Sequence, residues 1–258
     1  MKKLPVSIAI IAQNEENNIE ECLKSVQWGD EIILIDGGST DRTVEFAKML
    51  GARVIHNPWP GHIEQKNFAI DQCKNEWIFS LDADERVSPE LLNEITKVFT
   101  EKTELADGYF CPRKVFYLGR WITHSGWYPD YKIRLFKKSL GRWGGYNPHD
   151  KIILNGNSKK LRGDILHYPY KNISTHLNRI NSYTTIMADE LFKKGSKSNF
   201  LKIIFRPYFR FLRSYIFKLG FLDGFQGLVL SILGSYYVFL KYIKLWEIQK
   251  GIPGKVKN

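Results

Sequence analysis

Cysteine is scarce in this 258-residue chain: Cys22, Cys73 and Cys111 are an odd number with no C-x-x-C pair. That argues against a disulfide framework or a structural zinc site and favours a reducing compartment. A secretory leader is not expected either. Lys2 and Lys3 precede an apolar run, but residues 6–12 are too few for a leader and end at Gln13-Asn14-Glu15-Glu16 without a small-residue cleavage pattern. The run reads instead as a buried first strand. Neither G-x-G-x-x-G nor a glycine- and Lys/Arg-rich triphosphate loop is present, which gives nicotinamide binding and nucleotidyl transfer little support. With 43% hydrophobic and 25% charged residues, the chain is too apolar to be disordered and long enough for a sizeable core.

Acid is missing where base is richest. The net charge is +11, and residues 197–218 hold six cations (Lys197, Lys202, Arg206, Arg210, Arg213 and Lys218) and no carboxylate. Such a surface calls for an anionic partner: nucleic acid, anionic lipid or a phosphorylated substrate. Lys202, Arg206, Arg210 and Arg213 recur at helical spacing among phenylalanines, and Pro207 is expected to start or kink that helix. Residues 219–240 then carry a single charge, Asp223. They are long enough to cross a bilayer, yet Gln226 and four glycines favour amphipathic helices lying in the interface. A basic stripe beside an apolar run suits lipid better than a nucleic-acid groove, so no nucleic-acid partner is expected. A homodimer through the aromatic tail is an alternative use of the same surface.

The first hundred residues alternate apolar runs (6–12, 31–35, 53–56, 77–81) with helical patterns. In one of these Ile19, Cys22, Leu23 and Val26 share a face, and Asn14 is a candidate cap. Ser88-Pro89-Glu90 opens a further helix. This alternation predicts an α/β fold with βαβ units and a largely parallel sheet covered by helices, whose ligands sit beyond the carboxyl ends of the strands. Those ends carry residues 13–16, 36–39 and 82–84. From about residue 107 the pattern becomes irregular and aromatic, with strands expected at 132–136 and 164–168 and a helix over 172–192. The expected organisation is a catalytic domain over 1–192 and a basic, aromatic helical region over 193–258. The catalytic domain divides into a nucleotide-binding half at 1–106 and an acceptor half at 107–192.

Two segments carry chemistry. Leu81-Asp82-Ala83-Asp84-Glu85 ends an apolar run. Carboxylates one residue apart can reach one Mg²⁺ or Mn²⁺, directly or through a ribose and water, to neutralise a leaving diphosphate; the alternative is a solvated acidic turn. Asp36-Gly37-Gly38-Ser39-Thr40-Asp41 lets the backbone approach a ligand at a helix start, or forms a tight turn capped by Ser39 or Thr40.

Together with Ile10-Ile11-Ala12-Gln13-Asn14-Glu15 and Gln65-Lys66-Asn67, these segments stand in the order and spacing of family 2 glycosyltransferases. The chain resembles that family. Within it the chain is most similar to bacterial lipopolysaccharide core β-1,4-glucosyltransferase-like enzymes, through Pro129-Asp130, Arg134-Leu135-Phe136, His149-Asp150, His167-Tyr168 and Leu222-Asp223-Gly224-Phe225.

The resemblance implies a GT-A fold, a nucleotide-sugar donor of the UDP-glucose kind and an inverting transfer of one hexose. It implies that Ala12, Asn14, Glu15, Asp36 and Gly38 line the nucleoside pocket and that Lys66 lies near the diphosphate. Asp82 and Ala83 would face the ribose or metal, and Asp84 would ligate Mn²⁺ or Mg²⁺ through the D-x-D motif. An inverting transfer needs one base and no nucleophile. The resemblance points to Asp150, where related enzymes more often carry Glu; Asp130 is the rival, and either carboxylate could instead pair with Arg134 or Lys132. His149 would orient the base, contact a phosphate or pack in the core. The Gln-x-x-Arg-Trp signature of processive synthases is absent.

The implied acceptor is lipid-linked, a lipopolysaccharide-core intermediate or, alternatively, polyprenyl phosphate or a capsular or teichoic intermediate. The implied place is the cytoplasmic face of the inner membrane, with Lys202, Arg206, Arg210, Arg213 and Lys218 on anionic lipid. A basic binding protein without catalysis is the distant alternative.

Overall fold

The computed structural model describes residues 3–101, 105–146 and 149–252, with the backbone alone at Tyr146 and His149. Two compact units emerge: residues 1–114 with 129–168, and residues 115–128 with 169–258. The second unit thus takes in a segment and a helix that lie before residue 193.

In the first unit, strand β1 (Leu4–Ala12) leads to helix α1 (Ile19–Ser25), β2 (Gly29–Asp36), α2 (Thr43–Met49), β3 (Arg53–His56), α3 (His62–Asp71) and β4 (Trp77–Asp82). The strands pair in parallel in the order β3-β2-β1-β4. Parallel strands are buried on both faces, which is why they read as continuous apolar runs. Alternate residues of β1 divide between two layers. Val6, Ile8, Ile10 and Ala12 enter one core with Leu34, Phe79 and Leu81; Ala9 and Ile11 enter another with Ile33, Ile35 and Ile78.

Past β4 the pairing is mostly antiparallel. Strand β5 (Glu85–Val87) and helix α4 (Pro89–Thr100) are followed by β6 (Gly108–Tyr117), β7 (Arg120–Trp121) and β8 (Asp130–Lys137). Then come β9 (Gly141–Tyr146), β10 (His149–Leu154), β11 (Ser158–Lys160) and β12 (Ile165–His167). Strand β8 pairs antiparallel with β4 and β6, β12 pairs antiparallel with β5, and β9 and β10 form a separate hairpin. The mostly parallel expectation therefore holds for the nucleotide-binding half, and the sheet as a whole is mixed.

Local signals fared unevenly. Ser88 caps α4, accepting from the Leu91 amide at 3.1 Å with Pro89 at the first turn. Asn14 does not cap α1, which starts five residues later. At α2 neither Ser39 nor Thr40 is the cap; Asp41 accepts from the Thr43 amide at 3.0 Å.

The second unit holds helix α5 (Ile173–Lys193), α6 (Phe200–Leu212) and α7 (Gly224–Gln249), with a π turn at Arg213–Phe217 and a 3-10 turn at Gly220–Asp223. Pro207 neither starts nor ends α6; it sits inside the helix. Its ring removes one amide donor, and its own carbonyl accepts from Ser235 Oγ of α7 at 2.8 Å. Asp223 is buried and satisfied by the Thr123 and His124 amides and the Thr123 hydroxyl. A Cβ on Gly227 would collide with the Gly220 carbonyl, so the turn into α7 needs glycine there. The stretch Gly220–Gln249 is long and apolar enough to cross a membrane, and 22% of its most apolar window is buried. Residues 219–240 thus form one turn and part of one long helix, where shorter interfacial helices were expected, because Gly227 and Gly234 are accommodated inside it.

Candidate active site

The carboxyl ends of the parallel strands meet where expected. Ala12 pairs with Asp36 across β1 and β2, and Ile11 with Asp82 across β1 and β4. Ala12 and Ala83 are buried. Asn14 adopts φ 57° and receives the Thr40 amide at 2.8 Å, while its own amide donates to Ser39 Oγ at 3.0 Å. Glu15 receives the Asn18 side-chain amide at 2.8 Å. Gly38, at φ 98°, lets the chain turn so that the Gly38 and Ser39 amides reach the Asp36 carboxylate at 3.0–3.2 Å. Burial alone would raise Asp36; hydrogen bonds from Ser39, His56 and Gly38 outweigh it and hold the carboxyl below its ordinary range. These residues make a rigid anionic rim suited to a nucleoside's donors.

Lys66, on α3 and only 7% exposed, is no surface cation. Its Nζ lies 2.8 Å from Asp150 Oδ2 and 3.0 Å from Asp82 Oδ1, over the Trp143 ring at 4.1 Å from the centroid. The other Asp82 oxygen accepts from Arg134 Nη2 at 3.1 Å, and the same Nη2 donates to Glu85 at 2.7 Å. Arg134 and Glu85 are 2% and 0% exposed. Burial would raise Asp82, yet Lys66 and Arg134 hold it well below the carboxylate range. Burial would likewise lower Arg134, but Glu85 and Asp82 raise it further above its usual value.

The rival bases separate by their partners. Asp130 is bound by Arg113 at 2.7 and 3.1 Å and by Lys132 at 3.1 Å, which outweigh its burial and hold it low. Asp150, 17% exposed, has Lys66 as its single side-chain partner among the described residues. Arg134 pairs with Asp82 and Glu85 rather than with either candidate base. The His149 side chain lies outside the described residues.

Asp84 is placed differently from Asp82. Its Oδ2 is 3.3 Å from His167 Nε2, because β12 pairs antiparallel with β5. Among the described residues no three His, Cys, Asp or Glu side chains gather as a metal cage. The pair of one carboxylate and one imidazole is a donor set that would hold Mn²⁺ or Mg²⁺. Among the described residues the buried Nδ1 of His167 has no hydrogen-bond partner, while its Nε2 faces Asp84. Asp82, committed to two cations, is less suited to ligation. His167 was missed as a site residue from the sequence. The signal was its place in His167-Tyr168, but nothing linear ties it to a carboxylate 83 positions upstream.

Of the expected membrane set, Arg206, Arg213 and Lys218 are exposed, Lys202 and Arg210 half-buried. Around them Phe205, Phe209, Phe217, Phe221 and Phe225 are exposed.

The comparisons with known proteins agree with this arrangement. A family described as Glycosyl transferase family 2 matches residues 7–155. Over 252 residues the chain is 30% identical to the lipopolysaccharide core biosynthesis glycosyltransferase LpsC of Rhizobium meliloti, covering 95% of this chain and 93% of that protein. It is 34% identical over 261 residues to the uncharacterized glycosyltransferase RT0209 of Rickettsia typhi, covering 96% and 88%. Among solved structures, the mannosyltransferase PcManGT of Pyrobaculum calidifontis, in complex with GDP-Man and Mn²⁺, has TM-score 0.58 at 12% identity over 95% of this chain and 88% of that one. S. aureus TarS 1–349 with UDP-GlcNAc has TM-score 0.52 at 14% identity over 99% and 93%. At those identities the likeness shows the fold, which is the GT-A fold expected.

Proposed function

From the premise that the chain belongs to glycosyl transferase family 2, and is therefore a glycosyltransferase, we propose a specific reaction for it. It transfers one hexose, with inversion, from a nucleotide sugar of the UDP-glucose kind to a lipid-linked acceptor of lipopolysaccharide core or a related surface glycan. The observation that carries the reading is the meeting of Lys66, Asp150 and the Asp84–His167 pair at the carboxyl ends of the parallel strands. The lipopolysaccharide role rests on the likeness to LpsC, and the metal is supported by PcManGT, which binds Mn²⁺ with GDP-Man.

The residues divide the work. Asp36 and the 13–16 turn receive the nucleoside; Asp84 and His167 are the residues that would hold a divalent ion, which when bound would supply charge neutralisation to the departing diphosphate. Lys66 donates to a diphosphate oxygen as negative charge develops there. In doing so it leaves Asp150, whose carboxylate accepts the proton of the attacking hydroxyl. The acceptor oxygen bonds to the anomeric carbon as the carbon–diphosphate bond breaks, and no covalent enzyme intermediate forms. Asp130, held by two cations, serves as a structural partner.

A peripheral position on the cytoplasmic leaflet of the inner membrane completes the reading; the exposed aromatic and basic face of α6 and α7 supports it. Each cation near an anionic surface contributes about 1 kcal/mol, weakened by salt. The test is donor turnover in detergent across a panel of nucleotide sugars with Mn²⁺, Mg²⁺ or EDTA, following released nucleoside diphosphate. One donor should turn over slowly, EDTA should stop it, and Lys66→Gln should slow it about 100-fold. Turnover indifferent to EDTA would remove the metal from the reaction.

A further inference from the structure

The six cations of residues 197–218 do not behave alike. Two of them, Arg206 and Arg210, bear electrostatically on a further cation, Lys241, that lies beyond the stripe on α7. Arg206 donates from Nη1 to the Tyr242 hydroxyl, with its guanidinium carbon 5.0 Å from the centre of that ring. Lys241 Nζ is 5.1 Å from the same ring centre and 5.9 Å from that of Tyr237. Arg210 crosses α7 at Gly234, where its Nε and Nη2 would lie 3.6 and 3.7 Å from a Cβ built there. Arg210 and Lys241 are half-buried, and Arg206 stands at the mouth.

Among the described residues none of the three meets a carboxylate. Burial and the neighbouring Arg206 and Arg210 pull Lys241 below the ordinary lysine range; burial and Arg213 do the same to Arg210. Lys244, one turn along α7, shows the contrast: four oxygens of Asn181, Thr184 and Thr185 at 2.7–2.9 Å satisfy it. Like charges gathered in a half-buried place repel, and aromatic faces offset only part of that. An anion with several acceptor oxygens offsets the rest, and paired arginine forks match a phosphate.

We propose that Arg206, Arg210 and Lys241, with the Tyr242 hydroxyl orienting the first, form a binding site for a phosphate monoester or diphosphate, separate from the donor's. Two molecules present that chemistry beside an exposed aromatic face: a phosphorylated lipid-linked acceptor and a phospholipid headgroup. The site rests on unit geometry alone and stands whether or not the transferase reading does.

Titration of the full chain with inorganic pyrophosphate in EDTA, by calorimetry, tests it. Saturable binding is expected, and Arg206→Ala/Arg210→Ala/Lys241→Ala should weaken it at least tenfold, whereas Lys48→Gln/Lys97→Gln/Lys250→Gln, removing the same charge elsewhere, should not. A second class of site removed by Lys66→Gln would belong to the donor, so the two readings fail separately. Should the triple alanine variant not fold, Arg206→Lys/Arg210→Lys keeps the charge, loses the forks and should still weaken binding several-fold. Vesicles of phosphatidylcholine carrying phosphatidic acid, or phosphatidylglycerol at equal surface charge, distinguish the sources. Preference for phosphatidic acid, lost in the triple variant, assigns a headgroup; saturable pyrophosphate binding without that preference assigns a soluble or glycan-borne phosphate. Pyrophosphate binding equal in the triple variant and its charge-matched control would overturn the site.

Discussion

The two units handle buried positive charge in opposite ways. In the first, Lys66, Arg113 and Arg134 interlock with Asp82, Glu85, Asp130 and Asp150, each cation meeting two carboxylates. In the second, Arg206 and Lys241 share the Tyr242 ring and Arg210 crosses α7 at Gly234, with no described carboxylate among them. A compensated network holds its own geometry before substrate arrives, as a catalytic centre requires. An uncompensated one waits for charge from outside, as a binding surface requires.

The sharpest break is expected inside the first network, at the carboxylate assigned to the metal. Asp84→Ala should lower nucleotide-sugar turnover about 1,000-fold, because the diphosphate loses its neutralising partner. Its melting midpoint should stay near that of the parent, since Asp84 is not one of the carboxylates holding Arg134. Full turnover in that variant would remove Asp84 from the chemistry.

Stability should break at Arg134. Arg134→Met keeps much of the stem but removes the cation shared by Glu85 and one oxygen of Asp82, leaving buried Glu85 with only the longer ion pair to Arg113. Removing one partner of a buried ion pair costs roughly 3–5 kcal/mol, which denaturant unfolding would read directly. Arg134→Lys should not restore the loss, because one ammonium cannot reproduce the planar fork that serves both carboxylates.

How much of this was legible in the sequence follows from the kind of neighbour each residue has. Strands β1 to β4 were readable because double-sided burial writes itself as unbroken apolar runs, and their polar ends then marked the site. Asp36, Lys66, Asp82, Asp84 and Asp150 were all singled out in the sequence. The antiparallel half was only partly readable: the strands expected at 132–136 and 164–168 are β8 and β12, but β9 is glycine-rich, β10 is partly exposed and three-residue β5 leaves little pattern. His167, Glu85 and Arg134 meet their partners only through contacts between segments distant in sequence, so those contacts were hidden. Lys241 was hidden for a related reason. It ends an uncharged run in the sequence, and only the packing of α6 on α7 brings it to Arg206.

A titration sharpens the comparison from the second unit. His176 is buried, stacked on Tyr170 at 4.0 Å between ring centres, and its Nδ1 shares a hydrogen bond with the Tyr117 hydroxyl at 2.9 Å. Burial, helped by Arg179, lowers it to about 4. The folded ring is therefore neutral where the unfolded one, near 6.5, takes a proton. Stability should fall as pH drops from 6.5 towards 4, by roughly 3 kcal/mol from this group. His176→Gln keeps an acceptor for Tyr117 and does not titrate. Thermal melts of both proteins across that range should converge at the acid end; parallel curves would show that His176 does not titrate as assigned.

The smallest effect is the most direct contrast between the units. Arg210→Met makes in the second unit the same substitution that should cripple the first. Here the stem's packing is kept and no carboxylate is stranded, because none pairs with Arg210. What is lost is repulsion from Arg213 and from Lys241, both of which bear on the same half-buried region. In phosphate-free buffer the variant should unfold within about 1 kcal/mol of the parent, on the stable side, the order expected when a poorly compensated charge gives way to an apolar side chain. Adding pyrophosphate should then stabilise the parent more than the variant, since a ligand raises stability only where the folded state binds it. A cost for Arg210→Met as large as that for Arg134→Met would mean that the second cluster is compensated after all, and the contrast between the two units would be lost.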